Sequence, residues 1–320
     1  MLSTEEKAAS DPVWYIPPWI YSISIILIVV AVICCIGSWV FVFYFRKKPL
    51  VAMGQPEFLY NLCFGALLLQ LSQVFLIIVT HADHDKNGKM LDLTNSKIST
   101  FLNVCCNFAT WFIYMGFFVV YTALLCKMYR IMKITHQPLR RGLKILPRHV
   151  LWPFFLLVFL LTCLLATWSA TGVSKYVIIE NPDTNESSGY CAMTWWISDE
   201  SPSKQCLFAM GVLLVIVQLI LLILAYKIRK INQELGDSKR ILMLVLFHVI
   251  VLVVFTTIVY RVGDKGMLVT TIEFFLFSLS TIGFIIFPRM YYVWYNNRYG
   301  HLPENVVMIG TGTTTVQGVN

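Results

Sequence analysis

Seven long apolar segments, separated by short polar stretches, constrain this chain more than any other feature of its sequence. A helix needs about 20 apolar residues to cross a hydrocarbon layer roughly 30 Å thick, and each segment is near or above that length. A segment inside lipid must satisfy its own backbone hydrogen bonds, so each one is predicted to be helical. The predicted spans cover residues 18–45, 57–80, 100–126, 150–171, 206–228, 241–260 and 267–294. We therefore predict an all-α fold, a bundle of seven transmembrane helices.

The composition agrees with a membrane protein and excludes a water-soluble domain. Charged residues make up 13% of the 320 residues, whereas a soluble domain carries about 25%. The bundle is expected to occupy residues 18–298, between a short extracellular N-terminus at 1–17 and a disordered cytosolic tail at 299–320. Residues 1–17 contain no apolar core of the kind that a cleavable signal needs. The first span is therefore expected to act as its own insertion signal.

The basic residues predict how the bundle is oriented. Seventeen of the 25 Lys and Arg residues lie in the tail, in the loops after spans one, three and five, and at the adjoining helix ends. Because basic residues are enriched on the cytosolic side, the N-terminus is predicted outside and the C-terminus in the cytosol. We interpret the net charge of +8 as this orientation signal. Membrane lipid with anionic headgroups is then the expected partner, and nucleic acid is not.

The loop after span four carries two features of an extracellular segment. Asn185-Glu186-Ser187 is a sequon for N-glycosylation at Asn185, although a pattern of three residues also arises by chance. Cys191 lies in the same loop, on the side where disulfides persist. Cys105 and Cys106 lie near the outer end of span three. A bridge from either of them to Cys191 would hold the loop over the bundle, and the alternative is an unpaired thiol.

Span three and its inner end carry a recognisable series of residues: Cys106, Trp111, Gly116-Phe117, Tyr121, Lys127 and Arg130. The series resembles the third helix of class C G-protein-coupled receptors, particularly their GABA type B branch, where a disulfide cysteine, Trp, Gly-Phe, Tyr, Lys and Arg follow at these spacings. Three further segments resemble motifs of the same family: Gln55-Pro56, Asp237-Ser238-Lys239 and Phe287-Pro288-Arg289, the last with Arg in place of Lys. The resemblance spans roughly residues 20–295.

The resemblance implies a receptor that signals to a heterotrimeric G protein, as a homodimer or as a heterodimer with another class C subunit. It selects Cys106 as the partner of Cys191, and together with the sequon it implies a plasma-membrane location. It also implies that Lys127 and Asp237 form an ion pair that locks the inactive state; the alternative is two solvated charges. The family's large extracellular ligand-binding domain, and with it the family's agonist site, is expected to be absent from this chain.

The second inner loop is strongly basic, with Arg130, Arg140, Arg141, Lys144 and Arg148. The resemblance implies that Arg130, Arg140, Arg141 and Lys144, together with Lys239, contact the G protein. The alternative is lipid anchoring, for which the positive-inside effect alone suffices.

Glu273 lies within span seven, about two turns from its predicted outer end. Carboxylates inside a membrane are energetically costly and often functional, so Glu273 is a candidate to line an outer cavity for a small ligand or a proton. The alternative is a carboxylate that reaches toward Lys265 or Arg261. Four other polar residues within spans are expected to form interhelical hydrogen bonds: Gln70, Gln73, Gln218 and His248.

Other functions are weighed against the receptor. A transporter or channel would need several ionisable residues along a midplane path, and only Glu273 and His248 qualify. A retinal-binding photoreceptor needs a Lys in its last span for the Schiff base, and residues 267–294 contain none. The chain could instead be the signalling subunit of a heteromeric receptor, without a ligand of its own. No phosphate loop, paired carboxylates or metal motif indicates an enzyme, a metal or another cofactor.

Overall fold

The computed structural model describes residues 18–52, 54–81, 96–136, 147–171, 175–181, 186–192, 202–228, 237–262 and 266–300. Within these residues, seven helices are long and apolar enough to cross a membrane, which confirms the predicted bundle. The described helices are α1 (Pro18–Phe45), α2 (Pro49–Ala52), α3 (Pro56–His81), α4 (Ser96–His136), α5 (Pro147–Thr171), α6 (Pro202–Ile228), α7 (Asp237–Val262), α8 (Met267–Ile285) and α9 (Phe287–Tyr299). The two described strands are β1 (Lys175–Asn181) and β2 (Glu186–Ala192). The proposed segment 1–17 and most of the proposed tail lie outside these residues.

Helix α4 extends well beyond the predicted span 100–126. It has 41 residues and is therefore about 60 Å long, roughly twice the hydrocarbon thickness. No proline or glycine interrupts residues 117–137, so the helix continues after the apolar run ends. Lys127 consequently lies inside α4 and more than two turns before its end, which corrects the expectation that it marks a helix terminus.

The last predicted span is divided into two helices. Helix α8 ends at Ile285, Ile286 has φ −97° and ψ −45°, and α9 begins at Phe287. Pro288 explains the division, because its nitrogen carries no hydrogen and its ring clashes with the carbonyl of Phe284, four residues earlier. Helix α9 ends at Gly300, whose φ of +73° is the left-handed conformation of a helix C-cap.

A β-hairpin covers one end of the bundle, and the all-α prediction did not include it. Strands β1 and β2 pair antiparallel, with Tyr176 opposite Cys191, and β1 contains the β-branched run Val177-Ile178-Ile179 that favours a strand. A disulfide joins Cys106 of α4 to Cys191 with a Cα–Cα distance of 5.5 Å, the pair that the family resemblance implies. Cys105 is a free, buried thiol.

The backbone of the hairpin is also bonded to α4. The Tyr176 N–H donates to Asn103 Oδ1 at 2.7 Å, near the disulfide. We call this end of the bundle the hairpin end. We call the opposite end, where α1, α6 and α9 finish and α3 and α7 begin, the basic end.

Helix α4 is the central helix, since residues 116–124 are all buried and so cover its whole circumference. Its closest neighbour is α3, which it meets at two glycines. A Cβ atom at Gly116 would lie 2.7 Å from Leu69 Cγ and 3.0 Å from the Gly65 carbonyl oxygen. A Cβ at Gly65 would lie 2.9 Å from the Gly116 carbonyl oxygen. Only glycine permits this approach of two backbones, as at other close contacts between membrane helices.

Gly116→Ala is therefore expected to destabilise the bundle by about 1–3 kcal/mol, because the added methyl group must separate α3 from α4. The measurement is thermal unfolding of the purified protein in detergent. Gly211→Ala in α6 is the matched control, because nothing lies within 4 Å of a Cβ there. It should leave stability unchanged or raise it by up to about 1 kcal/mol. Equal shifts for the two variants would contradict the close contact.

Candidate functional site

Polar side chains connect α3 to α8 inside the bundle. Gln70 Nε2 donates to the Phe274 carbonyl oxygen at 3.0 Å and to Ser278 Oγ at 2.8 Å. Closer to the hairpin end, Thr271 Oγ1 donates to Gln73 Oε1 at 3.2 Å. These are the interhelical hydrogen bonds expected of the two glutamines, and they fix the position of α8 against α3.

An aromatic cluster around Phe277 connects α8 to α4, α6 and α7. The His248 ring of α7 stacks on Phe277 with a centroid distance of 3.9 Å, and Phe117 and Tyr121 of α4 meet Phe277 edge-on at 4.6 and 5.8 Å. The cluster is bonded at two points. His248 Nε2 and Ser280 Oγ share a hydrogen bond of 2.9 Å. Gln218 Nε2 of α6 donates to the Tyr121 hydroxyl at 3.2 Å. A rotation of α7 against α8 must therefore break the hydrogen bond of His248 or slide its ring across Phe277.

Glu273 lies one turn from Phe277 on α8, toward the hairpin end. Its side chain is only 8% exposed, and no hydrogen bond or ion pair joins it to another residue that the structure describes. Arg261, one of the two cations considered as its partner, is exposed and makes no salt bridge to Glu273. The other, Lys265, lies outside the described residues.

At the basic end, Lys127 is buried with 1% of its surface exposed. Its helix neighbours Leu124 and Met128 belong to the hydrophobic core that runs through the bundle. Helix α7 begins at Asp237, whose side chain lies outside the described part, and the next residue, Ser238, is buried. A buried ammonium is costly unless it is paired, so the burial of Lys127 favours a paired charge over a solvated one.

Arg289 brings together two of the segments that resemble family motifs. It is buried at the start of α9, and its guanidinium donates to the Ile285 carbonyl oxygen. The same guanidinium packs on Gly54, where a Cβ would lie 2.9 Å from Arg289 Cζ. The next residue, Gln55, has φ +60°, so the turn before α3 is tightly folded beneath the arginine.

Helix α9 is also bonded to α7 and α1. Arg240 Nη2 of α7 donates to the Tyr292 hydroxyl at 2.8 Å. Lys48, just after α1, donates from Nζ to Asn297 Oδ1 at 3.1 Å. Sequence reasoning missed the Arg240–Tyr292 and Arg289–Gly54 contacts. The one feature of the sequence that could have indicated these contacts is adjacency to the family-like segments. Arg240 directly follows Asp237-Ser238-Lys239, and Gly54 directly precedes Gln55-Pro56.

The predicted G-protein contacts are only partly described. Lys239 is exposed and Arg130 is half-buried at the basic end. Arg140, Arg141 and Lys144 lie outside the described residues, as does Asn185 of the sequon, and the same holds for the side chain of Arg148. Among the residues that the structure describes, no group of three or more His, Cys, Asp or Glu side chains could hold a metal ion.

The family of the chain follows from a comparison over most of its length. The sequence profile of the family described as "7 transmembrane sweet-taste receptor of 3 GCPR" matches residues 14–289, which include all of α1 to α8. No curated protein matches the chain. The family is one of receptors, which agrees with the seven apolar helices and marks the chain as an integral, multi-pass membrane protein. The chain therefore belongs to the class C family of G-protein-coupled receptors, of which it carries the seven-transmembrane domain.

Proposed function

We propose that this chain is a GABA type B-like receptor of the plasma membrane that activates a heterotrimeric G protein at its basic end. The signal is extracellular or membrane-embedded, and rearrangement of the helix bundle transmits it. The observation that carries the proposal is the burial of Lys127 in α4 at the basic end, where 1% of its surface is exposed. A buried charge there makes the relative position of two helices depend on one pairing.

The orientation in this proposal rests on two properties of the described residues. The ends of α1, α6 and α9 and the beginning of α7 carry a cluster of exposed cations, as expected of a cytosolic surface: Arg46, Lys47, Lys48, Lys227, Lys239 and Arg298. The opposite end carries the disulfide, which persists in oxidising compartments. The N-terminus is then extracellular, the tail is cytosolic, and Asn185 is an acceptor for glycosylation.

Burial strengthens the proposed lock between Lys127 and Asp237. An exposed ion pair contributes about 0–1 kcal/mol, whereas removing one partner of a buried pair costs about 3–5 kcal/mol. Since about 1.4 kcal/mol changes an equilibrium constant tenfold, a partly buried pair suffices to hold the bundle mainly in one state. A movement of α7 away from α9 would also break the hydrogen bond between Arg240 and Tyr292.

The receptor proposal is favoured over a transporter by the packing around Phe277. The two candidates for a midplane path are Glu273 and His248, and Phe277 stacks on His248 one turn from Glu273, so aromatic surface interrupts a polar path. A signalling subunit without its own ligand is a variant of the receptor proposal. It requires a class C partner subunit, and the chain alone would then respond to no added ligand.

Lys127→Ala and Asp237→Ala are expected to raise basal nucleotide exchange on the coupled G protein. Each change removes the attraction that holds α7 against α4, so the open state gains population. We expect a rise of about tenfold, corresponding to a bias of about 1.4 kcal/mol. The assay measures exchange on a panel of purified G proteins with the purified chain.

Two further variants separate the lock from general damage. Lys133→Ala removes a less buried lysine from the same helix and should leave exchange unchanged. Lys127→Asp combined with Asp237→Lys reverses the pair and should bring exchange back toward the original rate. If both alanine variants fold and exchange at the original rate, the lock is wrong. If no G protein responds to the chain or to any variant, the proposed coupling is withdrawn.

The proposed contact surface comprises Arg130, Arg140, Arg141, Lys144 and Lys239. Replacing Arg140, Arg141 and Lys144 together by glutamine, in the Lys127→Ala background, is expected to slow exchange by about tenfold at low salt. Charges at the rim of an interface act mainly on the association rate, so the difference should shrink as ionic strength rises.

Lipid anchoring by the same loop predicts another outcome. The triple glutamine variant would then reach the cell surface less efficiently, with unchanged exchange per receptor. An N-terminal tag, detected on intact cells, measures surface level and orientation together. Unchanged exchange at every salt concentration would exclude the loop as a contact.

Glu273 is proposed to line a cavity near the hairpin end that receives a small ligand or a proton. A functional carboxylate without a partner weakens the fold, so Glu273→Gln should raise the free energy of unfolding by about 1 kcal/mol. If the carboxylate instead pairs with Lys265, Glu273→Gln and Lys265→Gln should both lower it. Thermal unfolding in detergent distinguishes an unpartnered Glu273 from a Glu273–Lys265 pair. A lower unfolding temperature in both variants would contradict the proposal that Glu273 lines a cavity.

A further inference from the structure

We infer that the adjoining ends of α1 and α9 form a binding site for a phospholipid with a polyanionic headgroup, of the phosphoinositide class. The site consists of Arg46, Lys47, Lys48 and Arg298, which we call the α1–α9 patch. The inference rests on the proposed function only in assigning the patch to the cytosolic leaflet.

A hydrogen bond joins the two helix ends that carry the four cations. Lys48 Nζ donates to Asn297 Oδ1 at 3.1 Å, which joins the residue just after α1 to the last turn of α9. Arg46 and Lys47 precede Lys48, and Arg298 follows Asn297. All four side chains are exposed, so an anion can reach them from the surface of the bundle.

The charges of the patch are not neutralised within the described part of the chain. None of the four side chains forms a salt bridge with a carboxylate of the described residues. Other arginines at the basic end are used internally, since Arg240 is bonded to Tyr292 and Arg289 is buried on the Ile285 carbonyl oxygen. Cations held close together repel one another, and a bound polyanion removes that repulsion.

Aromatic rings beside the patch indicate its depth in the membrane. The Arg46 guanidinium lies 5.1 Å from the centroid of Phe43, and the Arg298 guanidinium lies 5.7 Å from the centroid of Trp294. Trp294 is 52% exposed on the outer face of α9. Because exposed tryptophan rings settle at the headgroup level of a bilayer, the adjoining cations lie at the level of the phosphates. This favours a lipid over a soluble anion.

The chemistry of the patch matches a headgroup that carries more than one phosphate. Two guanidinium groups offer paired donors to phosphate oxygens, and two ammonium groups add compact positive charge. Phosphatidylserine, with one net negative charge, would leave most of the patch unpaired. A bound polyanion would also hold α1 to α9, the helix that contacts α7 through Tyr292.

The test titrates the purified full chain in detergent with phosphatidylinositol bisphosphate and with phosphatidylserine. Native mass spectrometry then measures the one-to-one complexes. We expect selective binding of the bisphosphate lipid. Each cation near an anionic lipid contributes roughly a fivefold change in affinity, so replacing Arg46, Lys47 and Arg298 by glutamine should weaken binding on the order of a hundredfold.

The matched control removes the same charge from the same end of the bundle. Replacing Lys133, Lys227 and Lys239 by glutamine should leave binding of the bisphosphate lipid within about twofold of the original, because these residues lie outside the patch. If the patch variant does not fold, Arg298→Gln alone should weaken binding about fivefold.

Three results would overturn the inference. The first is an equal loss of affinity in the control variant, which would mean diffuse attraction to the whole basic end. The second is an affinity for phosphatidylserine equal to that for the bisphosphate lipid. The third is binding of soluble inositol trisphosphate that equals binding of the bisphosphate lipid. The experiment contains no G protein, so failure of the proposed coupling would leave its outcome unaffected.

Discussion

The contact between Gly65 and Gly116 is the constraint on which the rest of the structure depends. The backbones of α3 and α4 approach so closely that a Cβ atom at either glycine would lie within 3.0 Å of the other glycine's carbonyl oxygen. This close approach leaves room for other helices around α4. Residues 116–124 of α4 have no exposed face, and Lys127, three residues later, is buried as well. The disulfide cysteine Cys106, the aromatic residues Phe117 and Tyr121, and Lys127 all lie on this helix. The function of the bundle therefore depends on a packing contact that involves no functional group.

The buried residues Glu273 and Lys127 oppose the stability of the bundle, and their positions separate two roles. Glu273 lies toward the hairpin end without a partner among the described residues, whereas Lys127 lies buried in α4 toward the basic end. Between them, Phe277 contacts His248 and Tyr121, so aromatic packing links one region to the other. Buried charges persist where function requires them, because hydrophobic residues at the same positions would be at least as stable. A bundle with a charge at each end and a packed aromatic centre can couple a change at one end to the other.

The sequence predicted most of the fold, and the errors have physical causes. Hydropathy reports where lipid ends and not where a helix ends, so the spans were correct while the extension of α4 to His136 was missed. The hairpin was missed because two short strands outside the membrane carry a weak signal beside seven apolar segments. The partner of Cys191 came from resemblance, since spacing alone left Cys105 and Cys106 equal. Contacts such as Arg240 with Tyr292 join residues 52 positions apart, and no local pattern encodes such a pair.

The two ends of the bundle differ in how they are held, and this asymmetry bears on mechanism. At the hairpin end, a covalent bond between Cys106 and Cys191 fixes the loop to α4, and the hydrogen bond from Tyr176 to Asn103 supports it. At the basic end, single hydrogen bonds join Arg240 to Tyr292 and Lys48 to Asn297, and each contributes about 0.5–1.5 kcal/mol. Bonds of that strength break and reform within a thermal equilibrium, whereas the disulfide does not. Relative motion of the helices is therefore expected to be smallest beneath the hairpin and largest where α7 and α9 meet, which is the end that the proposed orientation turns toward the cytosol.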